Sequence, residues 1–138
     1  MAKTILVVDD VAFVRKTLTE ILTTAGYHVI GEAATGQEAI LRYGELRPDL
    51  VTMDIVMPGM SGIEATRHIV KADKNAKVIM ISAMDQMNLI MEAIHAGARD
   101  YIQKPFHSAD IVKIIERSLR GDRVSPPSGS TEPKELVK

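Results

Sequence analysis

Short apolar runs alternate with longer segments of helical period along the chain. Residues 4–8 form a nearly continuous apolar run, which predicts a buried strand, and residues 11–25 have the pattern of a helix that ends at Gly26. The same alternation continues through the rest of the sequence. Further strands are predicted at 27–33, 49–53, 77–81 and 99–102.

Capping signals place the boundaries of the other helices. Thr35-Gly36-Gln37-Glu38 and Ser61-Gly62-Ile63-Glu64 have the form of capping boxes, in which polar side chains bond the free N–H groups of a helix start. Gly97 is placed as a left-handed cap at a helix end. The helices predicted from these signals and from hydrophobic period span about 35–46, 61–72, 85–96 and 108–120.

This alternation gives five βα units. Their strands are rich in Val, Ile and Leu and have no polar face, which indicates a parallel sheet covered by helices on both sides. We therefore expect an α/β fold with a doubly wound, five-stranded parallel sheet and right-handed crossovers. Residues 1–120 are predicted to form one domain, whereas residues 121–138 contain Pro126, Pro127 and Gly129, have little to bury, and are predicted to be a flexible tail.

Composition narrows the classes of function. The 138 residues carry 17 Lys and Arg against 18 Asp and Glu, and this balance gives no electrostatic footprint for nucleic acid. Because there is no cysteine, disulfides, thiol catalysis and cysteine-ligated zinc are excluded. The apolar run at residues 5–8 is too short for a signal-peptide core, and no segment has the length of a membrane span. We expect a cytoplasmic protein with no nucleic-acid or membrane partner. Lys113, Arg117 and Arg120 are interpreted as a solvated face of the last helix.

One carboxylate, Asp54, lies in the middle of an almost wholly apolar run, residues 50–58. An ionised group that is buried without a partner is costly, so this position needs a partner or a purpose. The first strand also ends in acids, Asp9 and Asp10. Two apolar strands that end in acids suggest a shared pocket that binds a hard cation and makes one carboxylate a nucleophile. Taken alone, Asp9 and Asp10 are equally compatible with a helix cap.

Two more polar residues follow later strands, Ser82 after the fourth and Lys104 after the fifth. Ligands of open α/β sheets bind beyond the carboxyl ends of the strands, so these side chains converge with the acids if their strands are neighbours. Carboxylates with water suit Mg²⁺, and an ammonium and a hydroxyl suit phosphoryl oxygens. The set predicts phosphoryl transfer onto an aspartate, although Lys104 taken alone is better interpreted as an ordinary surface lysine.

The chain resembles the receiver domains of two-component response regulators over about residues 3–120. It is most similar to single-domain chemotaxis regulators of the CheY type, because residues 10–15 read DVAFVR and the tail is too short for an output domain. The resemblance implies a flavodoxin-like fold with strand order 2-1-3-4-5. The segments that carry it are Val7-Val8-Asp9-Asp10, the run from Met53 to Gly62, Ile81-Ser82-Ala83 and Lys104-Pro105-Phe106.

The resemblance implies a role for each acid. Asp54 accepts a phosphoryl group from a histidine kinase and also ligates Mg²⁺. Asp10 ligates Mg²⁺ directly, whereas Asp9 helps to hold it through water. The backbone carbonyl of Val56 is a further protein ligand of the metal.

The resemblance also implies a switch and its partners. Lys104 pairs with a phosphoryl oxygen, and a cis peptide is expected before Pro105. Ser82 moves towards the phosphoryl group, and Tyr101 rotates into the space that this movement leaves. The altered surface is expected to bind a flagellar motor switch or adaptor protein, and a phosphatase is a further expected partner.

Three alternatives stay open at this point. A phosphorelay intermediate would share the same site but pass the phosphoryl group to a phosphotransfer protein. A phosphatase with an aspartate nucleophile usually has a second acid two residues later, and Val56 in that position argues against it. Flavin binding on the same fold needs a phosphate-binding loop after the first strand, where Asp9 and Asp10 would repel the ligand.

Overall fold

The computed structural model describes residues 2–83 and 86–123, and its strands and helices alternate along the chain. Met84 and Asp85, the latter the predicted start of the fourth helix, lie outside the described residues, and so does most of the predicted tail, residues 124–138. The strands are β1 (Thr4–Val8), β2 (His28–Ala33), β3 (Leu50–Asp54), β4 (Val78–Ser82) and β5 (Asp100–Gln103). The helices are α1 (Ala12–Thr24), α2 (Gly36–Leu46), α3 (Gly62–Ala72), α4 (Met87–Ala96) and α5 (Ser108–Leu119).

The strands form one sheet in the order β2-β1-β3-β4-β5, and each neighbouring pair is parallel. This confirms the α/β fold and the strand order that the resemblance implies. The chain runs outward from β1 to β2 and then returns to place β3 on the other side of β1. That reversal is the switch point at which open α/β sheets form a ligand crevice, beyond the carboxyl ends of β1 and β3.

Alternate residues of the strands face two separate cores. Ile5 and Val7 of β1 pack into the core that holds the buried leucines of α1 and the buried isoleucines of α5. Leu6 and Val8 pack into the opposite core, which α2, α3 and α4 cover. Both faces of the sheet are therefore buried, which explains the continuous apolar runs in the strand sequences. Among the described residues, no helix combines the length and the apolar character that a membrane span requires.

Side-chain caps begin two of the helices as the sequence predicts. The Thr35 hydroxyl accepts a hydrogen bond from the Glu38 amide at 3.0 Å, and the Ser61 hydroxyl accepts one from the Glu64 amide at 3.1 Å. Glu38 also accepts from the amide of Ala34, the residue before the cap, at 2.8 Å, so its side chain ties the helix start to the chain that enters it. Gly97 ends α4 with a φ of 119°, which confirms the predicted left-handed cap.

The last three strands each begin and end one residue later than predicted. β3 includes Asp54, β4 includes Ser82 and β5 includes Gln103. The backbone ladder explains this difference, because Asp54 pairs with Ile81 and Ser82 with Gln103 whatever the polarity of their side chains. Hydrophobicity marks where a strand stops being apolar, whereas backbone pairing decides where it stops being a strand.

The interpretation of Arg117 as part of a solvated face is wrong. Its guanidinium forms a two-pronged ion pair with Asp100, at 2.6 Å from Nε and 3.0 Å from Nη2. Asp100 is almost fully buried at the start of β5 and needs a charged partner there. Arg117 supplies it from α5, so it fixes α5 against the edge strand. Hydrophobic period alone does not identify such a partner.

We expect Thr52→Val to stabilise the protein. Thr52 is fully buried in β3 between Val7 and Ile79, and its hydroxyl makes no hydrogen bond with the described residues. Valine keeps the shape and removes the unpaired hydroxyl, so the free energy of unfolding should rise by about 1 kcal/mol. Urea denaturation measures the change.

Thr66→Val is the matched control for this substitution. Thr66 is equally buried, but its hydroxyl donates to the Met80 sulfur at 3.4 Å, so its loss removes a contact and should not stabilise. A Thr52→Val protein that is no more stable than the wild type would contradict the interpretation.

Candidate functional site

The sheet register brings the predicted acids together. The pairing of β1 with β3 reaches Val8 and Met53, and the next residues on the two strands are Asp9 and Asp54. Asp10 follows at once on an exposed turn. One carboxylate oxygen from each of the three acids can be chosen so that all three lie within 4.8 Å of one another.

Among the described residues, Asp9 has one carboxylate oxygen in a hydrogen bond and one in an ion pair alone. Its side chain is fully buried, and its Oδ1 accepts a hydrogen bond from the Val11 amide at 2.9 Å. Its Oδ2 has no hydrogen-bond partner among the described residues and lies 3.5 Å from the ammonium of Lys104. Asp9 therefore closes a turn before α1, whereas the helix itself begins after Val11 without a side-chain cap, so the cap that the sequence allows does not form.

The environment of Asp54 opposes its ionised form. The residue is 7% exposed, and burial is the main cause that raises its pKa, followed by the negative charge of Asp9. The ammonium of Lys104 acts in the other direction, and Asp10 adds to the rise, with a resulting pKa of about 7. In the metal-free protein this carboxylate is consequently harder to ionise than an ordinary aspartate, and a bound cation would favour its ionised form.

Lys104 reaches the pocket from the loop after β5. Its Nζ lies 3.5 Å from Oδ2 of Asp9 and 3.6 Å from Oδ1 of Asp54, so one ammonium is shared by two buried carboxylates. The peptide between Lys104 and Pro105 is cis, as the resemblance implies. The main-chain amide of Lys104 donates to the Ser82 carbonyl at 2.7 Å and continues the ladder between β4 and β5. The interpretation as an ordinary surface lysine is therefore wrong.

The structure also places the remaining predicted residues. Ser82 ends β4 fully buried, and its hydroxyl has no hydrogen-bond partner among the described residues. Tyr101 lies half buried on β5 and packs against the core under α2, α3 and α4. Val56 lies two residues beyond Asp54 and is 52% exposed. The roles of Ser82 and Tyr101 in a switch and of the Val56 carbonyl as a ligand stay predictions.

Gly62 is a residue of the site that sequence reasoning missed. A Cβ atom at this position would collide with the main-chain carbonyl of Asp54. The Gly62 amide donates to the Ile55 carbonyl at 2.7 Å, which holds the start of α3 against the end of β3. The available signal was a poor helix former in the first turn of a predicted helix, directly after the Ser61 cap.

The donor set of the pocket fits a hard divalent cation. Three carboxylates offer oxygens within one small volume, and the Asp9 oxygen without a hydrogen bond faces that volume. Oxygen ligands that include few acids suit Mg²⁺, which keeps several of its waters. The Lys104 ammonium lies beside this acidic cluster, and it is suited to phosphoryl oxygens, as is the buried hydroxyl of Ser82 at the end of the neighbouring strand. The arrangement is thus equipped for phosphoryl transfer to a carboxylate.

Comparison with known sequences agrees with these motifs. The sequence profile of the response regulator receiver domain matches residues 5–116. The chemotaxis protein CheY of Thermotoga maritima is 52% identical over 117 residues, which are 85% of this chain and 98% of that protein. The chemotaxis protein CheY of Bacillus subtilis is 46% identical over 119 residues, 86% of this chain and 99% of that protein.

Comparison with solved structures gives the same picture. CheY in the crystal structure of the CheX–CheY–BeF3–Mg complex from Borrelia burgdorferi superimposes with a TM-score of 0.80 at 39% identity, over 86% of this chain and 89% of that chain. A two-component response regulator of the LuxR family from Aurantimonas sp. SI85-9A1 has a TM-score of 0.87 at 35% identity, over 100% of both chains. Sequence and fold therefore point to one family.

The raised pKa of Asp54 predicts a pH-dependent effect of Asp54→Asn on the metal-free protein. Between the ordinary pKa of 3.8 and the folded value of about 7, the folded state holds a proton that the unfolded state has lost. The free energy of unfolding of the wild type therefore falls as the pH rises through this window. Asparagine cannot ionise, so the free energy of unfolding of the variant does not fall in this way. The variant should therefore be more stable than the wild type by a few kcal/mol at pH 8, and this difference should vanish near pH 4.

Denaturation with urea in EDTA at several pH values measures this difference. Glu45→Gln removes an exposed carboxylate from α2 and should show no comparable dependence on pH. A wild type that is more stable than Asp54→Asn at pH 8 would contradict the inferred repulsion.

Proposed function

The chain belongs to the response regulator receiver family, and we propose that it works as a phosphorylation-controlled switch in chemotaxis. Response regulator receivers are signalling proteins rather than classical enzymes. The chemotaxis role is supported by relatives named chemotaxis protein CheY, whose matched segments make up 98% and 99% of their own length. A single domain over residues 1–120, a flexible tail and a cytoplasmic location stay predictions.

One observation carries the proposal: the pocket places Asp54 between an acidic cluster and an ammonium group. Oxygens of Asp9, Asp10 and Asp54 lie within 4.8 Å of one another, and the Lys104 Nζ lies 3.6 Å from Asp54. With Val56 as a further ligand through its carbonyl, this cluster is proposed to hold Mg²⁺. When bound, Mg²⁺ supplies charge neutralisation at the carboxylates and at the phosphoryl oxygens.

The proposed reaction is transfer of a phosphoryl group from a phosphohistidine of the kinase. A carboxylate oxygen of Asp54 attacks phosphorus, the phosphorus–nitrogen bond breaks, and the released imidazole takes a proton from solvent. Lys104 pairs with a phosphoryl oxygen and offsets the charge that arrives with the group. No general base is required, because the attacking carboxylate is already ionised when a cation occupies the pocket.

The proposed switch depends on two residues near the new phosphoryl group. The Ser82 hydroxyl is buried and unpartnered among the described residues, so it can donate to a phosphoryl oxygen. Movement of Ser82 opens space beside β5, into which Tyr101 turns. The equilibrium between two surface conformations shifts because only one of them makes these contacts.

The proposed partners follow from the same site and from the relatives. A histidine kinase supplies the phosphoryl group, and a flagellar motor switch or adaptor protein binds the switched surface. A phosphatase is a further proposed partner, which is supported by the structure of CheX bound to a relative with beryllofluoride and magnesium. The absence of a nucleic-acid partner stays a prediction from the charge balance.

Incubation with Mg²⁺ and acetyl phosphate should add one phosphoryl group to the wild-type protein. Intact-mass spectrometry measures the adduct, which should be lost on Asp54→Asn and strongly reduced on Lys104→Ala, since both groups act on the transferred phosphoryl group. Glu45→Gln, the removal of one exposed carboxylate, should leave the adduct in place. No adduct on the wild type, or an equal adduct on Asp54→Asn, would overturn the proposal.

Activation with beryllofluoride should increase the affinity for a purified flagellar motor switch or adaptor protein by about 5–150-fold, the usual range for coupling between two sites. Calorimetric titration of wild-type protein, with Asp54→Asn as the control that cannot be activated, measures the change. A phosphotransfer helix bundle that binds while the motor and adaptor proteins do not would favour a phosphorelay and contradict the chemotaxis role.

A further inference from the structure

Arg15, near the start of α1, makes two contacts that reach the acidic pocket from outside. Its Nη1 donates to the main-chain carbonyl of Asp9 at 2.7 Å, and its Nε donates to the Glu32 carboxylate at 2.8 Å. The Arg15 side chain is 19% exposed, so the contact with Asp9 is partly shielded from water. The two bonds join the end of β1, the end of β2 and α1 around one planar guanidinium.

The carbonyl that Arg15 holds belongs to the peptide between Asp9 and Asp10. The Asp9 amide donates to the Ala33 carbonyl at 3.1 Å, and the Asp9 side chain accepts from Val11 at 2.9 Å. With Arg15, the amide, the side chain and the carbonyl of Asp9 are therefore all fixed. Asp10 is exposed and forms no ion pair in the described part of the chain, so this peptide sets where its side chain starts, and a hydrogen bond with the Asp54 side chain is its contact in the pocket.

We propose that Arg15 is a positioning residue for the cation pocket and that Glu32 is its charge partner. Arg15 holds the peptide between Asp9 and Asp10 so that the Asp10 carboxylate points towards Asp54. This inference rests on the proposed function, because the cation at this pocket is the Mg²⁺ assigned there. Groups that orient metal ligands without touching the metal commonly control metal affinity.

Glu32 explains how an arginine is tolerated near a cation site. An unpaired guanidinium beside Asp9, Asp10 and Asp54 would repel Mg²⁺, in addition to the ammonium of Lys104 that already lies there. The Glu32 carboxylate at 2.8 Å offsets the charge of Arg15 without touching the pocket acids. Arg15 can then act on the Asp9 carbonyl through its hydrogen bond and add little net charge.

The double variant Arg15→Met with Glu32→Gln isolates the hydrogen bond, because it replaces a charge-balanced pair by a neutral pair. We expect the dissociation constant for Mg²⁺ to rise about tenfold, at the lower end of the range for residues that orient metal ligands. Mg²⁺ titration followed by backbone amide NMR signals of Asp10, Val11 and Asp54 measures it. In EDTA, the amide signals of Asp10 and Val11 should also shift, since the peptide is released.

Lys16→Met with Glu20→Gln is the matched control. Both residues are exposed on α1, and the control removes one positive and one negative charge that, among the described residues, form no hydrogen bond or ion pair with Asp9. The control variant should have the same dissociation constant for Mg²⁺ and the same amide signal of Asp10 as the wild type. If the ion pair of Arg15 were purely structural, its loss in the double variant would lower the free energy of unfolding and leave the Mg²⁺ affinity unchanged.

The single variant Glu32→Gln tests the charge partner in a protein that keeps the Arg15 contact. Glutamine still accepts from Nε, but the guanidinium charge is no longer offset, so Mg²⁺ binding should weaken. If the double variant bound Mg²⁺ with the dissociation constant of the wild type, the positioning role of Arg15 would be overturned. If Glu32→Gln did so, the role of Glu32 as charge partner would be overturned. If the wild type itself binds no Mg²⁺, the proposed function fails and this inference fails with it.

Discussion

Two buried carboxylates held side by side at the carboxyl edge of the central strands are the constraint on which the rest of the site depends. The pairing of β1 with β3 ends at Val8 and Met53, so Asp9 and Asp54 follow at the same level of the sheet. Neither side chain can turn into water, because one is fully buried and the other is 7% exposed. The backbone ladder therefore maintains a repulsion that a cation can relieve, and the stability of the sheet keeps the pocket formed.

The charge of the surrounding groups matches a divalent cation. When all are ionised, the three carboxylates of Asp9, Asp10 and Asp54 and the ammonium of Lys104 leave two net negative charges. The ammonium of Lys104 alone does not offset the charge of the carboxylates, since the pKa of Asp54 is still raised to about 7 beside it. The charge of the pocket would therefore be balanced by a divalent cation such as Mg²⁺, which would also favour the ionised form of Asp54.

Most of the fold and the acidic cluster could be predicted from the sequence because both are written in local patterns. Apolar runs report the strands, and the acids and hydroxyl at or beside their ends report the edge of the sheet to within about one residue. Other features depend on contacts between residues far apart in sequence. Arg117 pairs with the buried Asp100, and Gly62 leaves room for the Asp54 carbonyl. The hydrophobic period of the sequence identifies neither of these contacts. Arg15 is of the same kind, because its target is a main-chain carbonyl rather than a side chain.

The residues proposed to receive the phosphoryl group and those proposed to report it share one stretch of backbone. The Lys104 amide donates to the Ser82 carbonyl at 2.7 Å. The residue that forms an ion pair with Asp54 is therefore bonded directly to the residue that is proposed to move towards the phosphoryl group. Tyr101 lies on the same strand as this bond, and that strand is the edge of the sheet, with β4 on one side only. An edge strand can adjust with fewer backbone bonds at stake than a central one. Rearrangement at Ser82 should therefore meet least resistance towards β5, whereas β1 and β3, which carry the acids, stay fixed between neighbours.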